Sequence, residues 1–384
     1  MQFEFATAGR IVFGPGSAAK LKDSLSGLGS RGLVITGKSA RHAETVLEQL
    51  DAAGIAGHTC SVAGEPTIET VTETARIARD AGCDLVIGVG GGSVIDTAKA
   101  VAALLTNPGE LMDYLEVIGR GRPIARSPAA CIALPTTAGT GAEVARNAVI
   151  TAEQQRVKVS MRSPLMLPRL AIVDPELTLS LPPDITASTG LDALTQLLEA
   201  LVSKKATPLT DGICREGLRR AAFSLPRACE DGSDLSARTD MSLASLFGGL
   251  ALANAGLGAV HGFAGPLGGM YRAPHGMLCA RLLPFVMATN VAALQARAPD
   301  NPGLVRFDEI ARILTGNPAA SAPDGVAWIR DLCGALTVPA LAQFGVSPDD
   351  FDTIVEKAGK ASSMKGNPLE LTRKELAAIL EKAL

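Results

Sequence analysis

Asp84 to Ala100 reads DLVIGVGGGSVIDTAKA. A short apolar run breaks at Gly88, Gly90, Gly91 and Gly92, and from Ser93 the pattern becomes helical. A buried strand, a glycine turn and a helix in that order make a cradle for phosphate. Consecutive glycines let the backbone approach a diphosphate closely, Ser93 is placed to cap the helix, and the first N–H groups and the dipole of the helix face the anion. The spacing is not the GxGxxG of the common dinucleotide fold, and glycine-rich turns are ordinary in α/β proteins, so other segments must decide the ligand.

Strands and helices alternate around this segment. Phe3, Phe5 and Ile11 to Phe13 alternate with polar neighbours across a turn at Ala8 and Gly9, which predicts an opening hairpin. Gly32 to Thr36, Asp84 to Val89 and Ala129 to Pro135 read as strands; Ala40 to Ala53, Thr67 to Ala81 and Val94 to Leu105 read as helices. That alternation predicts a parallel sheet covered on both faces. After Pro182 and Pro183 the pattern is helical: Ala187 to Val202, Pro208 to Ala222, Leu235 to Ala255, Ala280 to Ala298, Arg306 to Thr315, Gly325 to Leu336 and Leu371 to Leu384. Two domains are expected, an α/β domain over 1–183 and an all-helical domain over 184–384.

The 384 residues carry a net charge of −3 with acids and bases interspersed, which argues against nucleic acid and membrane surfaces as partners. Met241 to Tyr271 has no charged residue, but its glycines and proline suit a buried core helix followed by a tight loop. Seven cysteines, odd in number and without a CxxC pair, fit free thiols in a reducing cytoplasm better than disulfides or a zinc ribbon. The start, MQFEFATAGR, has neither a basic stretch nor an apolar core, so no export segment is expected from it.

GGGSVIDTAKA resembles the GGGSxxDxAK signature of the iron-containing, or group III, alcohol dehydrogenases of the dehydroquinate-synthase-like superfamily, relatives of glycerol dehydrogenase and maleylacetate reductase. The resemblance extends over essentially the whole chain, including SSMKGNP at Ser362 to Pro368. It implies a dinucleotide-binding α/β domain, an all-α metal and substrate domain, and an NAD(P)-dependent interconversion of an alcohol with an aldehyde or ketone by metal-assisted hydride transfer. Gly90, Gly91, Gly92, Ser93 and Asp96 then belong to the cofactor site. LPTTAGTGAE, Leu134 to Glu143, is similar to the family's PTTxxTGSE stretch and puts Thr136, Thr137 and Thr140 at the diphosphate and nicotinamide. Lys158 in RVKVS matches a lysine near the nicotinamide ribose, against the bland reading of a lone surface lysine, and Leu177 in DPELT matches an adenine-side position.

NAD-using relatives carry an aspartate at the position of Gly37, where a carboxylate accepts from the ribose hydroxyls and repels a 2′-phosphate. With Gly37 in VITGKSARH, and Lys38, Ser39 and Arg41 beside it, NADP is favoured over NAD, although the two bases could equally solvate a helix start.

GLDALTQLLEA, Gly190 to Ala200, matches a family helix in which an aspartate and a histidine four residues on share one face and reach a divalent metal. Asp192 is retained; Gln196 takes the histidine's place. His261 in AVHGFAGPLGG and His275 in APHGM match the other two ligands and are two of only four histidines, although a histidine in a glycine-rich loop is often structural. Gly265 stands where many relatives have a second, non-ligand histidine. One carboxylate and two imidazoles suit Fe2+ or Zn2+, and Gln196 is a weaker fourth ligand, so a weakly held or absent metal is expected.

His261 and His275 are the catalytic candidates. They hold a Lewis acid or, in a metal-independent enzyme like maleylacetate reductase, join Gln196 in hydrogen-bonding the developing oxyanion. A third reading is a non-catalytic nucleotide sensor. The cyclase chemistry of dehydroquinate synthase is disfavoured, because Arg272 is the one base near these motifs. A homodimer through the Phe3 to Phe13 strands completes the expectations.

Overall fold

The structure, a computed structural model, describes residues 2–384. The chain forms two compact units, Ala6–Leu179 and Ser180–Leu384, the latter joined by the N-terminal residues through Phe5.

The first unit contains strands β1 (Ile11–Phe13), β2 (Arg31–Thr36), β3 (Ala56–Ser61), β4 (Leu85–Gly90), β5 (Ala130–Pro135), β6 (Asn147–Ala152), β7 (Val157–Arg162) and β8 (Leu170–Val173). Its helices are α1 (Ala43–Ala52), α2 (Ile68–Asp80), α3 (Gly92–Thr106) and the short α4 (Leu111–Tyr114). Six strands form a parallel sheet in the order β1-β8-β5-β4-β2-β3, while β6 and β7 form a separate antiparallel pair.

β4 is buried throughout, since both faces of the sheet are covered, and this is why LVIGVG is a continuous apolar run. Leu33, Ile35 and Val86 pack on one face with Val71 and Ala75 of α2 and Ala98 and Val101 of α3. Val34, Leu85, Ile87 and Val89 point to the other face and meet Val46 and Leu50 of α1. Strand alternation thus divides consecutive apolar residues between two cores.

After β2 the chain adds β3 on one side and β4 on the other. The winding reverses at the β2–β4 boundary, and open α/β sheets bind ligands there, outside the carboxyl ends of the strands. Thr36 pairs with Val89 and Gly90 with Pro135, so Gly37, Gly91 and Thr136 leave the sheet at that edge together.

The hairpin expected over Phe3 to Phe13 does not form. Ile11–Phe13 is the one strand of that stretch, and it runs parallel to β8, with Ile11 opposite Ala171 and Phe13 opposite Val173. Gly9 N–H donates to Pro168 O, and Ala171 N–H to Arg10 O, so the edge of β8 takes backbone groups that a hairpin would have paired.

The second unit contains α5 (Pro183–Val202), α6 (Pro208–Glu230), α7 (Leu235–Ala255), α8 (Ala259–Met270), α9 (His275–Arg297), α10 (Gly303–Thr315), α11 (Ala322–Ala335), α12 (Phe351–Lys360) and α13 (Arg373–Ala383). Every residue of α5 from Gly190 to Val202 is buried, so Asp192, Gln196 and Glu199 need partners inside the fold. Met241 to Tyr271 is not one core helix with a loop behind it. α7 ends at Ala255, Gly256 takes φ 68°, which glycine adopts without strain, and α8 starts at Ala259 after a bend of 100°.

Candidate active site

At the carboxyl edge of the sheet, Ser93 does not cap α3. Gly91 is the N-cap, and the N–H groups of Val94 and Ile95 both reach Gly91 O, which starts the helix at Gly92 and puts Ser93 inside it. The N–H groups of Gly92 and Ser93 have no acceptor within the helix and are available to an anion.

The glycines are required by what surrounds them. A Cβ at Gly90 would meet Val94 Cγ2 at 2.5 Å, one at Gly92 would meet Thr140 Oγ1 at 2.8 Å, and one at Gly91 would meet Thr137 Cγ2 at 3.3 Å. Thr136 N–H donates to Gly90 O at 3.0 Å, so the loops after β4 and β5 are packed together. Gly37 lies alongside: a Cβ there would touch Val94 Cγ2 at 4.0 Å and nothing nearer. Lys38, Ser39 and Arg41 are exposed beside it. Leu177 lines a cavity of about 290 Å³ with His42, Val46, Val89 and Leu134.

Asp96 and Lys158 are engaged with protein partners. Asp96 Oδ1 pairs with the buried Lys99 Nζ at 2.8 Å and its Oδ2 accepts from Val149 N–H at 2.9 Å, which ties α3 to β6. Lys158 is not a lone surface lysine, because its side chain is largely buried and its ammonium reaches Glu65 Oε1 at 2.5 Å.

The second unit gathers the other candidates. On α5, Gln196 Nε2 donates to Asp192 Oδ2 at 3.2 Å, as i, i+4 spacing on one face allows. His261 lies on α8 rather than in a glycine-rich loop, and His275 opens α9. His261 Nε2 lies 3.1 Å from Asp192 Oδ1, and His275 Nε2 lies 3.8 Å from the same oxygen. Gly276 explains the approach of α9 to α5, since a Cβ there would sit 1.9 Å from Ser188 O.

Two further residues complete the cluster. Cys279, one turn along α9 from His275, places Sγ 3.7 Å from His261 Nε2 and 3.7 Å from His275 Nε2. One ligand atom each from Asp192, His261, His275 and Cys279 all lie within 4.8 Å of one another. Glu199 sits behind His261. Its Oε2 is 2.7 Å from His261 Nδ1, and its Oε1 accepts from Val260 N–H at 2.6 Å, so it also caps α8, whose N-cap residue Gly258 has no side chain to do so.

Charge in the cluster is mutually sustained. Burial would raise the Asp192 carboxyl, but the charge on His275 and hydrogen bonds from His261 and Gln196 hold it below the ordinary range. Burial opposes a proton on His261, yet Cys279, Asp192 and Glu199 lift its pKa well above the usual imidazole value. The same opposition of burial against Cys279 and Asp192 leaves His275 raised. For Cys279 burial pushes upward and the two imidazoles prevail, lowering it. Such a pocket attracts positive charge, whether as imidazolium protons or as a divalent cation.

Family comparison decides what this arrangement belongs to. The model of iron-containing alcohol dehydrogenase matches residues 8–175, and that of the Fe-containing alcohol dehydrogenase family, C-terminal, matches 186–384. The chain belongs to the iron-containing alcohol dehydrogenase family. Among its relatives in that family, the 4-hydroxybutyrate dehydrogenase of Cupriavidus necator is 36% identical over 380 residues, 96% of each chain. The structure of a 1,3-propanediol oxidoreductase superposes with a TM-score of 0.91 at 33% identity, covering 100% of both chains. The sulfoacetaldehyde reductase of Bifidobacterium kashiwanohense, solved in complex with NAD+, matches with a TM-score of 0.86 at 29% identity, covering 100% of this chain and 99% of that one. Iron-containing alcohol dehydrogenases bind NAD(H) and a divalent metal, and this member carries a candidate ligand cluster for the metal.

Proposed function

We propose that the protein interconverts a small alcohol and its aldehyde or ketone with a nicotinamide dinucleotide, residues 1–183 holding the dinucleotide and 184–384 the metal and substrate. The observation that carries this reading is the convergence of Asp192, His261 and His275 at ligand distances in a chain of this family. The donor set fits a divalent ion, with a carboxylate oxygen and two imidazole nitrogens in a buried pocket. The cradle fits a diphosphate, because Gly90 and Gly92 leave no room for a side chain and the start of α3 offers N–H groups.

A divalent metal, Fe2+ or Zn2+, would supply a Lewis acid for the reacting oxygen. Asp192, His261 and His275 would hold it, and Glu199, accepting from Nδ1–H, would keep the Nε2 lone pair of His261 turned towards it. Gly265 has no side chain to carry the proton, which is left to solvent or the cofactor ribose. Thr136, Thr137, Thr140, Lys158 and Leu177 are assigned to the dinucleotide with the cradle, and Asp96 supports it by fixing α3. Gly37, Lys38 and Arg41 favour NADP(H) over NAD(H), since no carboxylate opposes the 2′-phosphate.

A second reading rests on Gln196, which turns an N–H donor into the cluster. In a metal-independent reductase, Gln196, His261 and His275 would donate to the developing oxyanion. In either case we place the protein in the cytoplasm as a homodimer that uses the edge strand β1, its seven cysteines being free thiols. The test is oxidation of NADPH and NADH with the aldehydes of 4-hydroxybutyrate and 1,3-propanediol and a wider set of aldehydes and ketones. Turnover is expected. Tight dinucleotide binding with no turnover of any carbonyl would identify a sensor instead.

A further inference from the structure

We propose that Cys279 is a metal ligand, so that the protein's site is Asp192, His261, His275 and Cys279, selecting Zn2+ over Fe2+. The inference rests on the metal-binding reading above and adds to it the fourth donor and the identity of the ion.

The geometry is that of a tetrahedron waiting to be drawn together. Bond lengths of ~2.0–2.2 Å to nitrogen and oxygen and ~2.3 Å to sulfur, at tetrahedral angles, require donor–donor edges of about 3.3–3.6 Å. The observed edges are 3.1 Å for His261–Asp192, 3.7 Å for Cys279–His261, 3.7 Å for Cys279–His275 and 3.8 Å for His275–Asp192. All six donor pairs lie within 4.8 Å. The four measured edges need shifts of a few tenths of an ångström, and the Asp192–Cys279 and His261–His275 pairs, within 4.8 Å, need at most about 1 Å, within the reach of side-chain rotation.

Chain placement supports the same donor. His275 and Cys279 are i, i+4 on α9, the spacing that puts Asp192 and Gln196 on one face of α5, so two helices each present a pair to one point. Gln196 turns its N–H towards Asp192, a hydrogen bond that orients the carboxylate rather than a donation to a cation. Cys279 is fully buried, with the two imidazoles as its polar neighbours. On binding, the thiol proton leaves to solvent and a sulfur–metal bond forms. Two anionic donors then balance a 2+ ion, a soft thiolate favours zinc over ferrous iron at a site of this kind, and the reacting oxygen would be admitted by expansion to five-coordination.

The experiment uses the full-length protein, stripped with a chelator under reducing conditions and titrated with Co2+, which reports ligand type by absorption. Wild type should show tetrahedral d–d bands together with a thiolate-to-cobalt charge-transfer band in the near ultraviolet. Cys279→Ser should lose that band and bind Zn2+ more than about tenfold more weakly, since even outer partners of metal ligands are worth that much. Cys333→Ser should keep both. Should Cys279→Ser fail to fold, zinc X-ray absorption of the wild type decides alone: a sulfur scatterer at about 2.3 Å is expected. Cobalt bound without a charge-transfer band, or a zinc shell of nitrogen and oxygen only, overturns the thiolate ligand and leaves the metal site standing. Failure of the wild type to bind either ion overturns the metal reading itself, and Cys279 with it.

Discussion

Glu199 Oε2 lies 2.7 Å from His261 Nδ1, while the opposite ring nitrogen, Nε2, lies 3.1 Å from Asp192 Oδ1. A carboxylate on Nδ1 fixes both the tautomer and the plane of the ring, and it raises the basicity of Nε2. Glu199→Gln keeps the shape and removes the charge. It should weaken zinc binding by about 10–100-fold, measured by competition with a chromophoric chelator. Unchanged affinity would reduce Glu199 to a cap for α8.

The cradle makes a separate prediction in the other unit. Gly91→Val would set a branched side chain against Thr137, where an added Cβ already comes within 3.3 Å of Cγ2. Dinucleotide affinity measured by fluorescence titration should fall by more than about tenfold, ~1.4 kcal/mol. Helical content and metal binding should persist, because Asp192, His261, His275 and Cys279 all lie beyond Leu179. A folded variant with normal affinity would remove the diphosphate from this loop.

Specificity should turn on Gly37. Its surroundings leave room for a side chain, with Val94 Cγ2 as the nearest atom at 4.0 Å, so Gly37→Asp should fold normally. A carboxylate there would accept from ribose hydroxyls and repel a 2′-phosphate, moving kcat/KM towards NAD(H) by about tenfold or more. A wild type that already prefers NAD(H), with no change in the variant, would show that the discriminating contact lies elsewhere.

Glu143 is 2% exposed, and burial pushes its carboxyl up to about 7 from 4.5, against its own backbone N–H and Lys99. A raised acid binds a proton in the folded state that the unfolded chain has already released, so its effect is to lower stability as pH rises through that window. A shift from 4.5 to about 7, at ~1.36 kcal/mol per unit, amounts to roughly 3 kcal/mol. Glu143→Gln removes the titration. Its denaturant midpoint should exceed that of wild type at pH 8 by more than at pH 5; parallel pH profiles would contradict the assignment.

What the sequence made legible follows from how local each signal is. LVIGVGGGSVIDTAKA carries its own strand, turn and helix, and the helices of the second unit announce themselves by periodicity. β3, AGHTCS, does not, because it is an edge strand with most of its residues exposed and no apolar alternation. β1 pairs with a strand more than 150 residues away, which the alternation of its own residues could not reveal. Ser93 lost the cap because Gly91 O could already accept two helical N–H groups. At the metal cluster, the i, i+4 rule that linked Asp192 to Gln196 also links His275 to Cys279, so that residue was within reach. Glu199, two turns beyond Asp192 on α5, needed the position of α8 to be recognised.

The most direct test of the account is carbonyl reduction by chelator-stripped protein, the same protein reloaded with Zn2+ or Fe2+, and His275→Ala. Activity is predicted to be lost on stripping, to return with metal in proportion to occupancy, and to be absent from His275→Ala. Full activity in stripped protein that His275→Ala abolishes would replace the Lewis acid by hydrogen-bond donors. Full activity in both would contradict the active site described at Asp192, His261 and His275.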